Sequence, residues 1–271
     1  MPLNRIFRTA LVTGAASGLG AAFAAMLRAE GVQVWGTSRQ LARVPDGPDF
    51  RGLEMDLADR DSLAEAWRAA EAQSGGIDLL VNNAGAGLWG AYEGLPASAI
   101  ERQWAVLMQG PADLTRLALQ AMRVRGAGGI VQVTSLAVEF PIPYMAPYVS
   151  AKAGLAGLAA ALVLETHGTG VRVLDFRPGD FRTGFNRAVE RAGTGDEKGR
   201  AARVWRRQEV LMAGAPEPER AARDLRRALA AQSVGVVRSG SFFQARIAPM
   251  LARFASPGLS RWVQRRYFHL S

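Results

Sequence analysis

The stretch Thr13-Gly14-Ala15-Ala16-Ser17-Gly18-Leu19-Gly20 decides how this chain folds. It ends a short apolar run, Thr9–Thr13, and opens an alanine-rich segment, Gly18–Ala29. The run reads as a buried strand and the segment as a helix, so the glycines fall in a tight strand-to-helix turn. Such a turn gathers backbone N–H groups at the positive end of a helix dipole, which suits a diphosphate. Gly14, Ser17, Gly18, Leu19 and Gly20 are therefore candidate phosphate-binding residues. The flanking strand and helix are what lift this motif above a bare glycine run.

Outward from the turn, apolar runs keep alternating with helical patterns. Strands are expected at residues 32–37, 52–55, 77–81, 129–134, 171–176 and 233–237, the second and last being weaker. Helices are expected at 61–72, 97–122, 147–166 and 219–231. Within 61–72, Leu63, Ala66, Trp67 and Ala70 form one apolar stripe. This β-α-β repetition predicts an α/β fold of Rossmann type: a doubly wound parallel sheet in a three-layer α/β/α arrangement. Composition does not break before residue 180, so all of 1–271 reads as a single dinucleotide-binding catalytic domain. Residues 184–200 are polar and glycine-containing and read as a mobile loop, and 184–215 as a substrate-side lid. Residues 241–271 read as a basic amphipathic C-terminal extension.

With 271 residues, 49% of them hydrophobic, the chain can bury a sizeable core. It has no cysteine, which excludes disulfides, thiolate metal sites and cysteine nucleophiles. No His/Asp/Glu cluster has metal-ligand spacing, so no metal is expected. His167 sits at an expected helix end, where a capping or cationic role is ordinary. No secretory signal and no uninterrupted apolar span are visible, so a cytoplasmic protein is expected. The net charge of +9 lies entirely in residues 201–271, with thirteen arginines against four acidic residues. A solvated helix face accounts for much of this.

At the end of the second expected strand stands Gly36-Thr37-Ser38-Arg39. Dinucleotide folds often place a carboxylate here for the ribose 2′-hydroxyl. Here no acid would repel a 2′-phosphate, and Arg39 can pair with one. NADP(H) is therefore expected in preference to NAD(H).

Tyr148 and Lys152 lie four residues apart on an expected helix and share a face. An ammonium close to a phenol favours the phenolate, so Lys152 is expected to lower the Tyr148 pKa. A phenol tuned in this way can exchange a proton with a substrate oxygen. Ser135 stands at the end of an expected parallel strand, where ligand crevices form, and can hold a carbonyl oxygen beside the phenol.

Together, the glycine turn, Asn82-Asn83-Ala84-Gly85, Ser135, Tyr148 with Lys152, and Pro178-Gly179 with Thr183 resemble the short-chain dehydrogenases/reductases. Order and spacing agree from about residue 8 to 185. The resemblance implies a seven-stranded sheet, with Tyr148 as general acid or base, Lys152 on the nicotinamide ribose and Ser135 orienting the carbonyl. It further implies that Asn83, Ala84 and Gly85 line the cofactor and that Asp56 and Leu57 flank the adenine. Pro178, Gly179 and Thr183 would flank the nicotinamide. The Thr-Ser-Arg ending of the second strand looks like the NADP(H)-preferring, steroid and retinol dehydrogenase-like branch. One position departs from the pattern. Leu107 stands where the family usually carries an asparagine that orders a proton-relay water, and leucine cannot hydrogen-bond it. Gln109 has the right chemistry but points to another helix face.

Trp89, Tyr144, Met145, Phe181, Phe185 and Trp205 fall on the expected substrate side and suggest an apolar pocket. The resulting reading is a carbonyl reductase or alcohol dehydrogenase for a bulky apolar substrate, acting as a homodimer or homotetramer. The alternative, motivated by Leu107, is a nucleotide-binding regulator or scaffold with weak turnover. In the tail, Ile247, Met250, Leu251 and Phe254 form one stripe and Leu259, Trp262, Val263 and Tyr267 another. They suit packing against the domain or a second subunit, with peripheral contact to an anionic membrane as the other reading. No aromatic-plus-basic platform suggests nucleic acid.

Overall fold

The computed structural model describes residues 1–44, 47–192 and 199–270. In chain order the strands are β1 Thr9–Thr13, β2 Gln33–Ser38, β3 Phe50–Glu54, β4 Leu79–Asn82, β5 Leu88–Trp89, β6 Gly128–Val133, β7 Val171–Pro178, β8 Glu190–Arg191 and β9 Gly235–Ser239. The helices are α1 Gly18–Ala29, α2 Arg60–Ser74, α3 Ala97–Trp104, α4 Gly110–Arg125, α5 Ala146–Glu165, α6 Arg200–Ala213, α7 Pro218–Ala230, α8 Ala248–Phe254 and α9 Pro257–Tyr267. Seven strands form one sheet in the order β3-β2-β1-β4-β6-β7-β9, parallel throughout. The order reverses between β1 and β4, which opens a crevice at their C-terminal ends.

Both faces of the sheet are buried. Ala10 and Val12 of β1 face α1 and α7, packing with Phe23, Leu27 and Leu225. Leu11, between them, faces the other way with Trp35, Leu80 and the α2 stripe Leu63, Ala66, Trp67 and Ala70. The period of two in the strands and of 3.6 in the helices thus meet in two core layers. Helix α5 is apolar and long enough to cross a membrane, yet it packs on the sheet through Leu155, Ala159 and Leu162.

Three sequence expectations change. The long helix at 97–122 is interrupted by a π-turn at Ala105–Gln109. Pro111, just inside α4, has no N–H to give the Leu107 carbonyl, and its ring crowds that carbonyl, so the ladder widens there. The mobile loop at 184–200 is partly tied down: β8 pairs with β5, with Glu190 N donating to Gly87 O and Ala192 N to Trp89 O, both at 2.9 Å. Backbone pairing of this kind leaves no apolar pattern to read; residues 193–198 lie outside the described set. The tail stripes pack into the domain only in part: Met250, Leu251, Phe254, Leu259, Trp262 and Val263 are exposed, whereas Ile247 is half-buried and Tyr267 packs beside Phe268 against the domain.

A charged network crosses the last strands. The Thr134 hydroxyl donates to Asp175, which is buried. Arg177 bridges Asp175 at 2.6 Å and Glu139 at 2.7 Å, and Arg238 reaches Glu139 at 2.8 Å. This network locks β7 and β9 to the turn that starts at Ser135. Removing Arg177 takes from the buried Asp175 carboxylate its ion-pair partner. Arg177→Met is expected to cost about 3 kcal/mol in urea denaturation. The Asp175→Asn/Arg177→Met double variant should recover part of that loss and not all of it, since it also removes the Asp175 charge that favours the buried Lys152 ammonium.

Candidate active site

The C-terminal ends of β1, β2, β4, β6 and β7 open into a cavity of about 1340 Å³. The glycine turn forms one end of it. Gly14, Ser17, Gly18 and Leu19 line the cavity. Gly14 has φ +67°, a left-handed conformation that disfavours a side chain. Ser17 caps α1 without any side-chain hydrogen bond to the helix, so its hydroxyl does not occupy the first-turn N–H groups. A diphosphate therefore fits this cradle in both space and donors. Gly20 does not line the cavity. A Cβ there would lie 2.2 Å from the Gly14 carbonyl oxygen, so its role is to let α1 approach the turn.

The loop after β4 closes on this turn. The Thr13 hydroxyl accepts from the backbone N–H of Asn83 and of Ala84, both at 2.9 Å, and Asn83 Nδ2 donates to Thr13 O at 2.9 Å. Asn83, Ala84 and Gly85 line the cavity as expected. Asn82 points beneath the sheet, where Nδ2 donates to Pro111 O, Thr115 Oγ1 and Gln132 Oε1. Ser38 and Arg39 line the cavity at the end of β2, Arg39 being exposed, and Asp56 and Leu57 line it after β3. Pro178 at the end of β7, and Gly179 and Thr183 after it, line it as well.

Ser135, Tyr148 and Lys152 meet on the opposite wall. Ser135 follows β6, and its hydroxyl accepts from Ala137 N at 3.0 Å. Lys152 is buried, and its Nζ donates to Val133 O at 2.7 Å. Burial pulls the ammonium down to about 8 against the opposing pull of Asp175. Burial pushes the Tyr148 phenol above its usual value, the Ser135 hydrogen bond works against this, and the Asp180 charge adds to it. The phenol is thus raised, where the sequence led to the expectation that Lys152 would lower it. Desolvation outweighs the Ser135 hydrogen bond, and the Lys152 ammonium donates to the strand carbonyl of Val133.

Two polar residues of this wall carry no sequence signature. Asp180 accepts from Gln208 Nε2 at 3.2 Å and from Gln244 Nε2 at 2.6 Å, joining β7 to α6 and to the tail. Burial raises its carboxyl, and the two amides partly offset that. Gln103 is buried and lines the cavity, its Nε2 donating to Ala86 O at 2.9 Å while its Oε1 has no partner among the described residues. Their contacts come from segments far apart in the chain, so only the fold reveals them. Leu107 is fully buried and brings no polar atom, while Gln109 is exposed and lies away from the cavity. Of the aromatic set, Met145, Phe181 and Phe185 line the cavity. Trp89, Tyr144 and Trp205 do not line it and pack on one another instead, Trp89 meeting Trp205 edge to face at 4.9 Å and Tyr144 at a tilt at 5.6 Å between ring centroids.

A sequence profile of the short chain dehydrogenases matches residues 8–193. A 3-ketodihydrosphingosine reductase of Bacteroides thetaiotaomicron is 34% identical over 175 residues, 65% of this chain and 64% of that protein. The chain thus spans less than two thirds of that relative. Among solved structures, a short-chain dehydrogenase from Streptomyces avermitilis superimposes with a TM-score of 0.80 at 28% identity, over 95% of this chain and 96% of that one. An actinorhodin polyketide ketoreductase solved with NADPH reaches 0.73 at 25% identity, over 85% of this chain and 95% of that one.

The Lys152 environment has a measurable signature in the protein without ligand. A lysine whose folded pKa is about 8 rather than the usual 10.5 weakens the fold below pH 8, where it stays charged. The penalty fades as pH rises from 8 towards the unfolded value. Wild type should therefore gain about 1 kcal/mol relative to Lys152→Met between pH 7 and pH 9 in urea midpoints.

Proposed function

The chain belongs to the short-chain dehydrogenase family, and on that premise we propose that it is an NADP(H)-dependent oxidoreductase interconverting a bulky apolar ketone or aldehyde and its alcohol. The observation that carries this is the meeting, in one cavity, of the glycine turn with Ser135, Tyr148 and Lys152. NADP(H), when bound, supplies or accepts the hydride. The chain's own residues handle the proton and the geometry. The Ser135 hydroxyl holds the carbonyl oxygen. The Tyr148 phenol donates its proton to that oxygen in reduction and takes it back in oxidation. The phenol is protonated at neutral pH, the form the donor role needs, and its raised value makes it the weaker acid in the protein without ligand. Lys152 is assigned to the nicotinamide ribose and the proton path behind Tyr148. The relatives described above include a 3-ketodihydrosphingosine reductase and a polyketide ketoreductase, both named for the reduction of a ketone, which supports a carbonyl substrate.

Preference for NADP(H) is supported by Ser38 and Arg39 at the cavity edge. Glu54, which pairs with Ser38 across the sheet, does not line the cavity. Leu107 supports a second reading, a nucleotide-binding regulator with little turnover. Wild-type activity separates the two, because inactivity across a broad carbonyl panel with NADPH selects the regulator.

Tyr148→Phe is expected to lower carbonyl-dependent NADPH oxidation by roughly a hundredfold or more, with NADPH affinity nearly intact. Turnover unchanged in that variant rejects the proton-transfer role. NADPH should bind more tightly than NADH, and Arg39→Ala should remove most of the difference by loss of a charge-assisted pair, about tenfold or more in Kd. Equal affinities in the wild type reject the NADP(H) assignment.

A further inference from the structure

The segment after β9 is anchored at both ends and largely exposed between them. Near its start Gln244 donates to Asp180 at 2.6 Å, and near its end Phe268 is buried beside Met145 and Val204. Between these anchors α8 and α9 present Met250, Leu251, Phe254, Leu259, Trp262 and Val263 to solvent, Phe254 being 83% and Trp262 59% exposed. Apolar exposure of this density marks a surface with a partner. Residues 241–271 also hold five arginines and no aspartate or glutamate. Arg266 lies 6.0 Å over the Trp262 ring, so cation and aromatic share one face.

Charge decides what the partner is. In a two-fold contact between copies the same arginines would be brought together, with no acid in either tail to pair with them. An anionic bilayer surface takes both parts of the face: aromatic and aliphatic side chains enter the headgroup boundary, and arginines meet phosphate. The face is also continuous with the site. Leu251, Phe254, Leu259 and Val263 line the cavity that holds Tyr148, so the outer wall of that cavity and the exposed patch are one surface.

We propose that α8 and α9 dock on an anionic bilayer and that the cavity takes a long-chain lipid ketone or aldehyde, or its alcohol, from that bilayer. The docking rests on the tail alone, and the substrate class rests on the oxidoreductase reading above.

Vesicle flotation of the full chain tests the docking, with phosphatidylcholine alone and with about one third phosphatidylglycerol. Wild type should float with the anionic vesicles and not with the neutral ones, and salt should weaken it. Met250→Glu/Trp262→Glu should abolish flotation. In Arg261→Gln/Arg265→Gln/Arg266→Gln, each arginine removed should cost roughly fivefold in partitioning. Circular dichroism should show both variants folded as wild type. No flotation, equal flotation with neutral vesicles, or flotation unchanged in the variants overturns the docking. Sedimentation velocity adds one outcome: a wild-type dimer that Met250→Glu/Trp262→Glu dissociates, without flotation, assigns the face to a second copy. For the substrate, the variants should slow turnover of a vesicle-borne long-chain ketone and leave that of a short soluble ketone unchanged. Equal rates on the vesicle-borne ketone overturn the lipid-substrate clause. Flotation with no turnover of either ketone rejects the oxidoreductase reading and the lipid-substrate clause, and leaves the docking standing.

Discussion

The close approach of the first glycine turn to the loop after β4 is the constraint on which the rest of the cavity depends. At Gly20 any side chain would strike the Gly14 carbonyl, and at Gly14 a Cβ would sit 2.9 Å from the Ala84 Cα. Thr13 converts that proximity into hydrogen bonds, its hydroxyl accepting two N–H groups from the partner loop. The same loop carries Ala86, which accepts from Gln103 and so draws α3 against the cavity. One contact between two backbones thereby sets the floor of the site and the position of its side wall.

The opposite wall is held by charge rather than by backbone contact. Lys152 is buried with one carbonyl as its hydrogen-bond partner, and its ammonium is weakened accordingly. Asp175 serves two ends here. It favours the Lys152 charge, and through Arg177 and Glu139 it fixes the turn that presents Ser135. A low-dielectric site of this kind makes every remaining charge count. Asp180 illustrates this: tied down by two glutamine amides, it still raises the Tyr148 phenol. Retention of the phenolic proton is thus a property of the whole wall and not of the Tyr148–Lys152 pair.

How much of this could be read from the chain depended on the range of the signal. Strand β1 and helix α1 lie where the apolar runs put them, since period and capping are local. Most of the anticipated cavity residues also line it, because strand ends and the glycine turn fix their places. Gln103 and Asp180 were invisible, because their partners stand 17 to 64 residues away and follow no period. The sign of the Tyr148 shift was misjudged for a related reason. A spacing of four residues gives proximity of two side chains, but desolvation depends on everything packed around them. Pro111 did carry a local warning that the long helix opens at Leu107, and a period count alone passes over it.

The tail marks the limit of pattern reading in another way. An amphipathic stripe states that a face needs an apolar neighbour and is silent on which neighbour. For α2 the neighbour is the sheet, and Leu63 and Trp67 are buried in it. For α8 and α9 the described chain covers the end at Tyr267 and leaves Phe254 and Leu259 largely exposed at the rim of the cavity. A segment anchored at Gln244 and Phe268 with so little packing between lies at the low end of local stability. The outer wall of the cavity is therefore built from apolar residues that the rest of the described chain leaves largely uncovered, which is why their stripe alone could not name their neighbour.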